Sequence, residues 1–133
     1  MVHVGIQRLG CTDAEGLRAA LQVWTLVQSC PEPGLAILNA GKRDLSFDMG
    51  LPVPVMFCPQ GERSARAAPA GWQISALNDQ HAYLRLGDDA GALQVGDRVA
   101  LGISHPCTTF DKWRWMAVVD EDLRVVDAIT THF

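Results

Sequence analysis

The sequence predicts a mainly β fold: a single small antiparallel domain, barrel-like or sandwich, with one or two short helices. Three observations carry this expectation. Short apolar runs rich in Val, Ile, Trp and Thr recur along the chain, turn-forming clusters separate them at roughly 8–12-residue intervals, and several runs alternate apolar and polar residues with the period of a half-buried strand. In chain order, residues 12–21, TDAEGLRAAL, are the one plausible helix. Thr12 and Glu15 fit a capping box, although Gly16 weakens the helix. Residues 21–28, LQVWTLVQ, have strand composition and run into Pro-Glu-Pro-Gly at 31–34, a turn sequence; LAILNAG follows at 35–41. The apolar run at 53–58 contains proline, which suits an edge or irregular strand. Residues 60–70, QGERSARAAPA, are small and charged and read as a surface loop. Residues 72–77, a turn at Asn78-Asp79, and HAYLRL at 81–86 follow. A turn-rich connector at 88–97 leads to RVALGISH at 98–105. Residues 115–119, the acidic turn 120–122 and residues 123–129 form a closing hairpin.

Composition narrows the function. With 133 residues, 48% hydrophobic and 20% charged, the chain can bury about two-thirds of its unfolded surface, which excludes disorder. No apolar run approaches the roughly 20 residues of a membrane span, and the first residues carry no apolar block of secretory type, so a cytoplasmic location is expected. The net charge of −4 argues against an electrostatic nucleic-acid binder. Trp24, Trp72, Trp113 and Trp115 are too dispersed for a base-stacking platform and are expected in core and rim packing. Cys11, Cys30, Cys58 and Cys107 contain no C-x-x-C pair, so a disulfide framework is not expected. Lys42 and Lys112 are the only lysines, which leaves little choice for Schiff-base chemistry. The basic turn Gly41-Lys42-Arg43-Asp44 could hold a carboxylate or phosphate, but such turns are more often simply solvated. There is no P-loop, no G-x-G-x-x-G and no nucleophile elbow.

The chemically dense segment is Ser-His-Pro-Cys-Thr-Thr-Phe-Asp-Lys-Trp-Arg at 104–114. In extended backbone, residues two apart share a face, so His105 and Cys107 could present a nitrogen and a sulfur to one ion. Pro106 would bias His105 toward the extended region. Nitrogen plus sulfur suits Zn²⁺ best. Two protein ligands leave an open shell, which is the mark of a Lewis-acid site rather than a structural one. Asp79, His81 and Asp111 are candidates for a third ligand or for orienting the shell. The competing reading is that His105 and Cys107 are ordinary strand-end residues, and that His81, which opens a strand, is a structural histidine.

Taken in order, PEPGLAILNAGKRDLSFDMGLP at 31–52, LNDQHAYLRL at 77–86, VGDRVALGISHPCTTFDKWR at 95–114 and VVDAITTHF at 125–133 resemble the C-terminal domain of D-serine dehydratase-like and D-threonine aldolase-like enzymes. These are fold-type III pyridoxal-phosphate (PLP) enzymes, and the resemblance covers residues 17–133; residues 1–16 match poorly. It implies a parent in which a (β/α)₈ barrel carries PLP and its lysine, the β-domain packs at the barrel mouth, and dimers are common. It further implies that the H-x-C pair, here His105 and Cys107, binds zinc or another divalent metal such as manganese beside the cofactor. The parent would act on a small-molecule D-amino acid by dehydration, deamination or aldol cleavage. The sequence departs from the pattern in four ways. A barrel of about 200 residues or more and this domain cannot both fit within 133, and neither Lys42 nor Lys112 stands for the PLP lysine. Cys30 replaces a usual arginine, and Asn39 a usual aspartate. The expectation is a metal-binding β-domain, inactive alone, whose partner is a PLP barrel or a second copy. The rival is a stand-alone, non-catalytic metal- or ligand-binding or assembly module. Neither nucleic acid nor membrane is expected as a partner.

Overall fold

The alternation seen in the sequence becomes a curled antiparallel sheet. A computed structural model describes residues 19–133. The helix expected over residues 12–21 lies outside them except for 19–21, which are not helical. The strands are β1 (Gln22–Glu32), β2 (Leu35–Leu38), β3 (Val53–Cys58), β4 (Arg66–Ala67), β5 (Gln73–Leu77), β6 (Ala82–Arg85), β7 (Arg98–Gly102), β8 (Trp115–Val119) and β9 (Val125–Thr130), with one short helix, α1 (Cys107–Phe110). Seven strands form one sheet in the order β4-β3-β7-β1-β2-β6-β5, and β8-β9 form a second. Every pairing is antiparallel.

Along β1, Val23, Thr25 and Val27 are buried while Trp24, Leu26 and Gln28 are more exposed, the period-2 signature of a strand with one face on the core. Register shifts interrupt β1 after Val27, β3 between Pro54 and Met56, and β5 between Ile74 and Ala76. Such bulges bend and twist a strand, and here they curl the sheet into a half-barrel. The Phe57 ring of β3 and the Trp72 ring just before β5 meet with centroids 5.2 Å apart, although β3 and β5 lie near opposite ends of the strand order. Leu38, Leu45, Leu84, Leu101, Val27 and Val99 fill the interior, each stabilising by about 1.5–3 kcal/mol relative to exposure. Buried Asp97 holds two loops against this core, its carboxylate accepting from Gln60 N and Gln94 N, both at 2.8 Å. The turn before β2 has Pro33 at its first corner and Gly34 at φ +79°, a conformation glycine adopts without strain.

Three expectations are corrected in detail. The loop over residues 60–70 contains β4, which pairs with Met56 and Phe57 of β3. The strand expected over 98–105 ends at Gly102. Trp72 is buried, but Trp113 and Trp115 are exposed. The closing hairpin is present: Met116 of β8 joins the core cluster, while every residue of β9 is exposed. No helix among the described residues is long and apolar enough to cross a membrane.

The β8–β9 turn stores strain. Asp120 Oδ1 accepts from Asp122 N and Arg124 N, and Leu123 N donates to Asp120 O. This folds Leu123 into φ +63°, where a branched side chain costs about 1–2 kcal/mol. Leu123→Gly is expected to stabilise the domain by about 0.5–1 kcal/mol, the relief being partly offset by the larger backbone entropy of glycine. A higher denaturation midpoint would show this. A lower one would mean that contacts of the Leu123 side chain outweigh the strain.

Candidate metal centre

The loop that leaves β2 carries the residues that shape the site. Gly41 N donates to Asp44 Oδ2 at 2.8 Å and Asp44 N returns to Gly41 O at 2.9 Å, closing a turn. Lys42 N and Arg43 N donate to Asn78 O and Asp79 O of the β5–β6 turn, both at 3.0 Å. Leu45 and Ser46 are then buried in the core. From there residues 44–50 are stitched to the 104–113 segment. Ser46 N donates to the buried Thr109 Oγ1 at 2.9 Å, and His105 N to Ser46 Oγ at 3.3 Å. Ser104 Oγ donates to Gly50 O at 3.2 Å, and Trp113 Nε1 to Asp44 O at 2.6 Å.

These bonds bring Asp48 to His105. Asp48 Oδ2 lies 2.5 Å from His105 Nδ1, and Thr108 Oγ1 lies 3.0 Å from Asp48 Oδ1. Thr108 Oγ1 is also 3.3 Å from His105 O. The hydrogen bond with the His105 ring, reinforced by Thr108, holds the Asp48 carboxyl below the ordinary aspartate value. Asp48 is therefore a carboxylate at neutral pH and an acceptor only. The His105 side chain is 34% exposed and that of Asp48 45%.

The backbone at the H-x-C pair differs from the strand expected. Pro106 has φ −57° and ψ −40°, and α1 begins at Cys107, so the segment is helical and the shared-face argument from extended backbone does not apply. Proline suits this place because a helix start needs no N–H from it. Cys107 is exposed with a free thiol. Asp111 is exposed at the C-terminal end of α1, its N–H donating to Cys107 O. Asp79 and His81 belong to the β5–β6 turn and with Lys42 and Arg43 line a separate open depression. Among the described residues, no three His, Cys, Asp or Glu come together as a group that could hold a metal ion. By donor chemistry alone, the one imidazole and one thiol at 105 and 107 suit a divalent metal such as zinc, and any further ligands would have to come from elsewhere.

The sequence does not mark Asp48 as a site residue. It is 57 residues from His105, and no spacing pattern links them; the sole signal was its place in the SFDMG stretch. The two single-residue departures noted in the sequence, Asn39 and Cys30, sit quietly. Asn39 Oδ1 accepts from Leu26 N at 2.8 Å and Thr25 Oγ1 at 3.1 Å, acceptor roles an aspartate would fill equally. Cys30 is exposed, with Sγ 3.7 Å from Leu93 O.

The same architecture is found in larger proteins of known structure. D-threonine aldolase from Filomicrobium marinum superposes with a TM-score of 0.70 and 24% identity, over 88% of this chain and 29% of that one. D-threo-3-hydroxyaspartate dehydratase from Delftia sp. HT23 gives 0.68 and 23%, over 93% of this chain and 35% of that one. A mutant of D-threo-3-hydroxyaspartate dehydratase in the metal-free form gives 0.68 and 22%, with the same coverage. These likenesses establish the fold, and the chain spans about a third of the length of these proteins. Among curated proteins none matches. Residues 20–119, which include β1 to β8, α1 and the His105–Cys107 pair, match the family described as "Putative serine dehydratase domain", and the chain belongs to that family.

Proposed function

We propose that this domain is the metal-holding part of a cytoplasmic PLP- and metal-dependent lyase acting on D-β-hydroxy amino acids, and that His105 and Cys107 hold zinc or another divalent ion such as manganese. One observation carries the reading. The dehydratase structures that share the fold include a histidine-to-alanine mutant and a cysteine-to-alanine mutant in the metal-free form, and the two mutated positions are two residues apart. His105 and Cys107 have that spacing, on a segment braced by Ser46, Asp48 and Thr109. A divalent ion held there would supply Lewis acidity toward a hydroxyl or carboxylate oxygen of the substrate.

The chain's own residues bind and orient. His105 offers a ring nitrogen, Cys107 a soft sulfur that favours zinc, and Asp48 keeps the ring in place. Phe47, Met49, Leu51 and Val53, next to Asp48 or a few residues after it in the chain, are exposed apolar side chains, with Met49 72% exposed. An apolar rim beside a polar site is what an interface presents; a PLP barrel domain or a second copy of the chain covering it would exclude water from the site. The PLP lysine would belong to that barrel.

Chain purified without chelators or a histidine tag is expected to retain about one equivalent of zinc and to leave D-serine and D-threonine unchanged when given PLP. Turnover by the isolated chain would contradict the division of labour. Absence of specific zinc would contradict the metal reading and favour a non-catalytic assembly module.

A further inference from the structure

We infer that Asp48 is a positioning residue that locks His105 in the tautomer carrying its proton on Nδ1, so that Nε2 is the metal-binding nitrogen. The inference rests on the reading of His105 as a metal ligand, and it deepens that reading by naming the ligand atom and the group that selects it. A neutral imidazole has one protonated and one bare nitrogen. A carboxylate 2.5 Å from Nδ1 can only accept there, so the proton must lie on Nδ1 and the lone pair on Nε2. Metal-binding histidines commonly have their second nitrogen engaged in this way, which fixes ring orientation and raises the basicity of the ligating nitrogen.

Three features separate this contact from an incidental surface ion pair, which contributes little. The second carboxylate oxygen is held by Thr108 Oγ1 at 3.0 Å, so the plane of the carboxylate as well as its position is constrained. Thr108 Oγ1 also lies 3.3 Å from His105 O, a second acceptor within reach of the same hydroxyl proton, so the clamp sits against the backbone of the residue it serves. The loop bearing Asp48 is anchored on both sides, by buried Ser46 to Thr109 and by Gly50 to Ser104, so the carboxylate needs little ordering when an ion arrives.

Two measurements on the full 133-residue chain test this. Long-range ¹H–¹⁵N NMR of the metal-free protein at about pH 8, above the ordinary imidazole range, is expected to show Nδ1–H at His105. Asp48→Ala is expected to abolish that preference, while Asp48→Asn, whose amide oxygen can still accept, retains part of it. Zinc competition against a chromophoric chelator is expected to show affinity about 10–100-fold lower in Asp48→Ala, with a smaller loss in Thr108→Val, which keeps the carboxylate but frees one oxygen. A role confined to stability would lower the melting temperature and move neither readout. Nε2–H in the wild-type chain, or unchanged zinc affinity in a folded Asp48→Ala, would overturn the inference. Because the tautomer is read without metal, a chain that shows Nδ1–H but binds no zinc would sink the metal reading and leave the clamp standing.

Discussion

Gly41→Ala is expected to lower the melting temperature by about 10 °C or more, an effect out of proportion to one methyl group. Gly41 stands where the loop after β2 meets the β5–β6 turn. A Cβ there would lie 2.3 Å from Asn78 O, 2.6 Å from His81 N and 2.7 Å from Asp79 C. All three are backbone atoms, so no side chain can swing away, and the two loops must part. Overpacking costs about 1–3 kcal/mol and sometimes more, and the upper end applies because the bonds from Lys42 N and Arg43 N to the same turn would be strained with it. For a domain of this size each kcal/mol moves the midpoint by roughly 4 °C. The loop continues to Asp48, so zinc affinity should fall in the same variant. Gly91→Ala, where a Cβ meets nothing within 4 Å, is the control and should stay within about 0.5 kcal/mol of the parent. Equal melting of both variants would refute the close approach of these loops.

Cys107→Ser is expected to weaken zinc binding at least about 100-fold, equivalent to roughly 2.7 kcal/mol. With the thiol gone, one imidazole remains of the pair, and a hydroxyl is a poor zinc ligand at neutral pH. Folding should be little changed, because Cys107 is exposed and its backbone bonds are untouched. The other described cysteines give the comparison. Cys30 is exposed and far along the chain from the site, so Cys30→Ser should bind zinc like the parent. Cys58 is buried, with the Arg98 guanidinium 3.1 Å from its sulfur, so Cys58→Ser should reveal itself in stability and leave metal affinity alone. A loss spread evenly over the three cysteines would mean adventitious thiol binding.

The strands were legible where local chemistry repeats: alternation in β1 and β6, the Pro-Gly corner before β2, the acidic turn of the closing hairpin. β4 was not, since two exposed residues carry no period and owe their pairing to β3. Helix α1 was hidden for a related reason. Pro-Cys-Thr-Thr-Phe has little intrinsic helix preference, and the turn is held instead by Thr109, buried and bonded to Ser46 from 63 residues away. His105 and Cys107 were found because they are neighbours in sequence. Asp48 escaped because the contact that gives it meaning is made only in the fold. Asp79 and His81, attractive by residue type, are placed by the β5–β6 turn against Lys42 and Arg43, and that turn could not be positioned in space from one sequence. Trp113 and Trp115 show the limit of composition: indoles are usually buried, but one bonds Asp44 O from the surface and the other lies on an exposed strand position.

In the proposed centre, one imidazole and one thiolate of this chain hold the ion together. X-ray absorption at the zinc edge of the stoichiometrically loaded protein reads that directly. One sulfur at about 2.3 Å and one nitrogen at about 2.0–2.1 Å are expected, the remaining ligands being oxygen, with the sulfur shell missing from Cys107→Ser. A shell of nitrogen and oxygen alone, or one with several sulfurs, would contradict it.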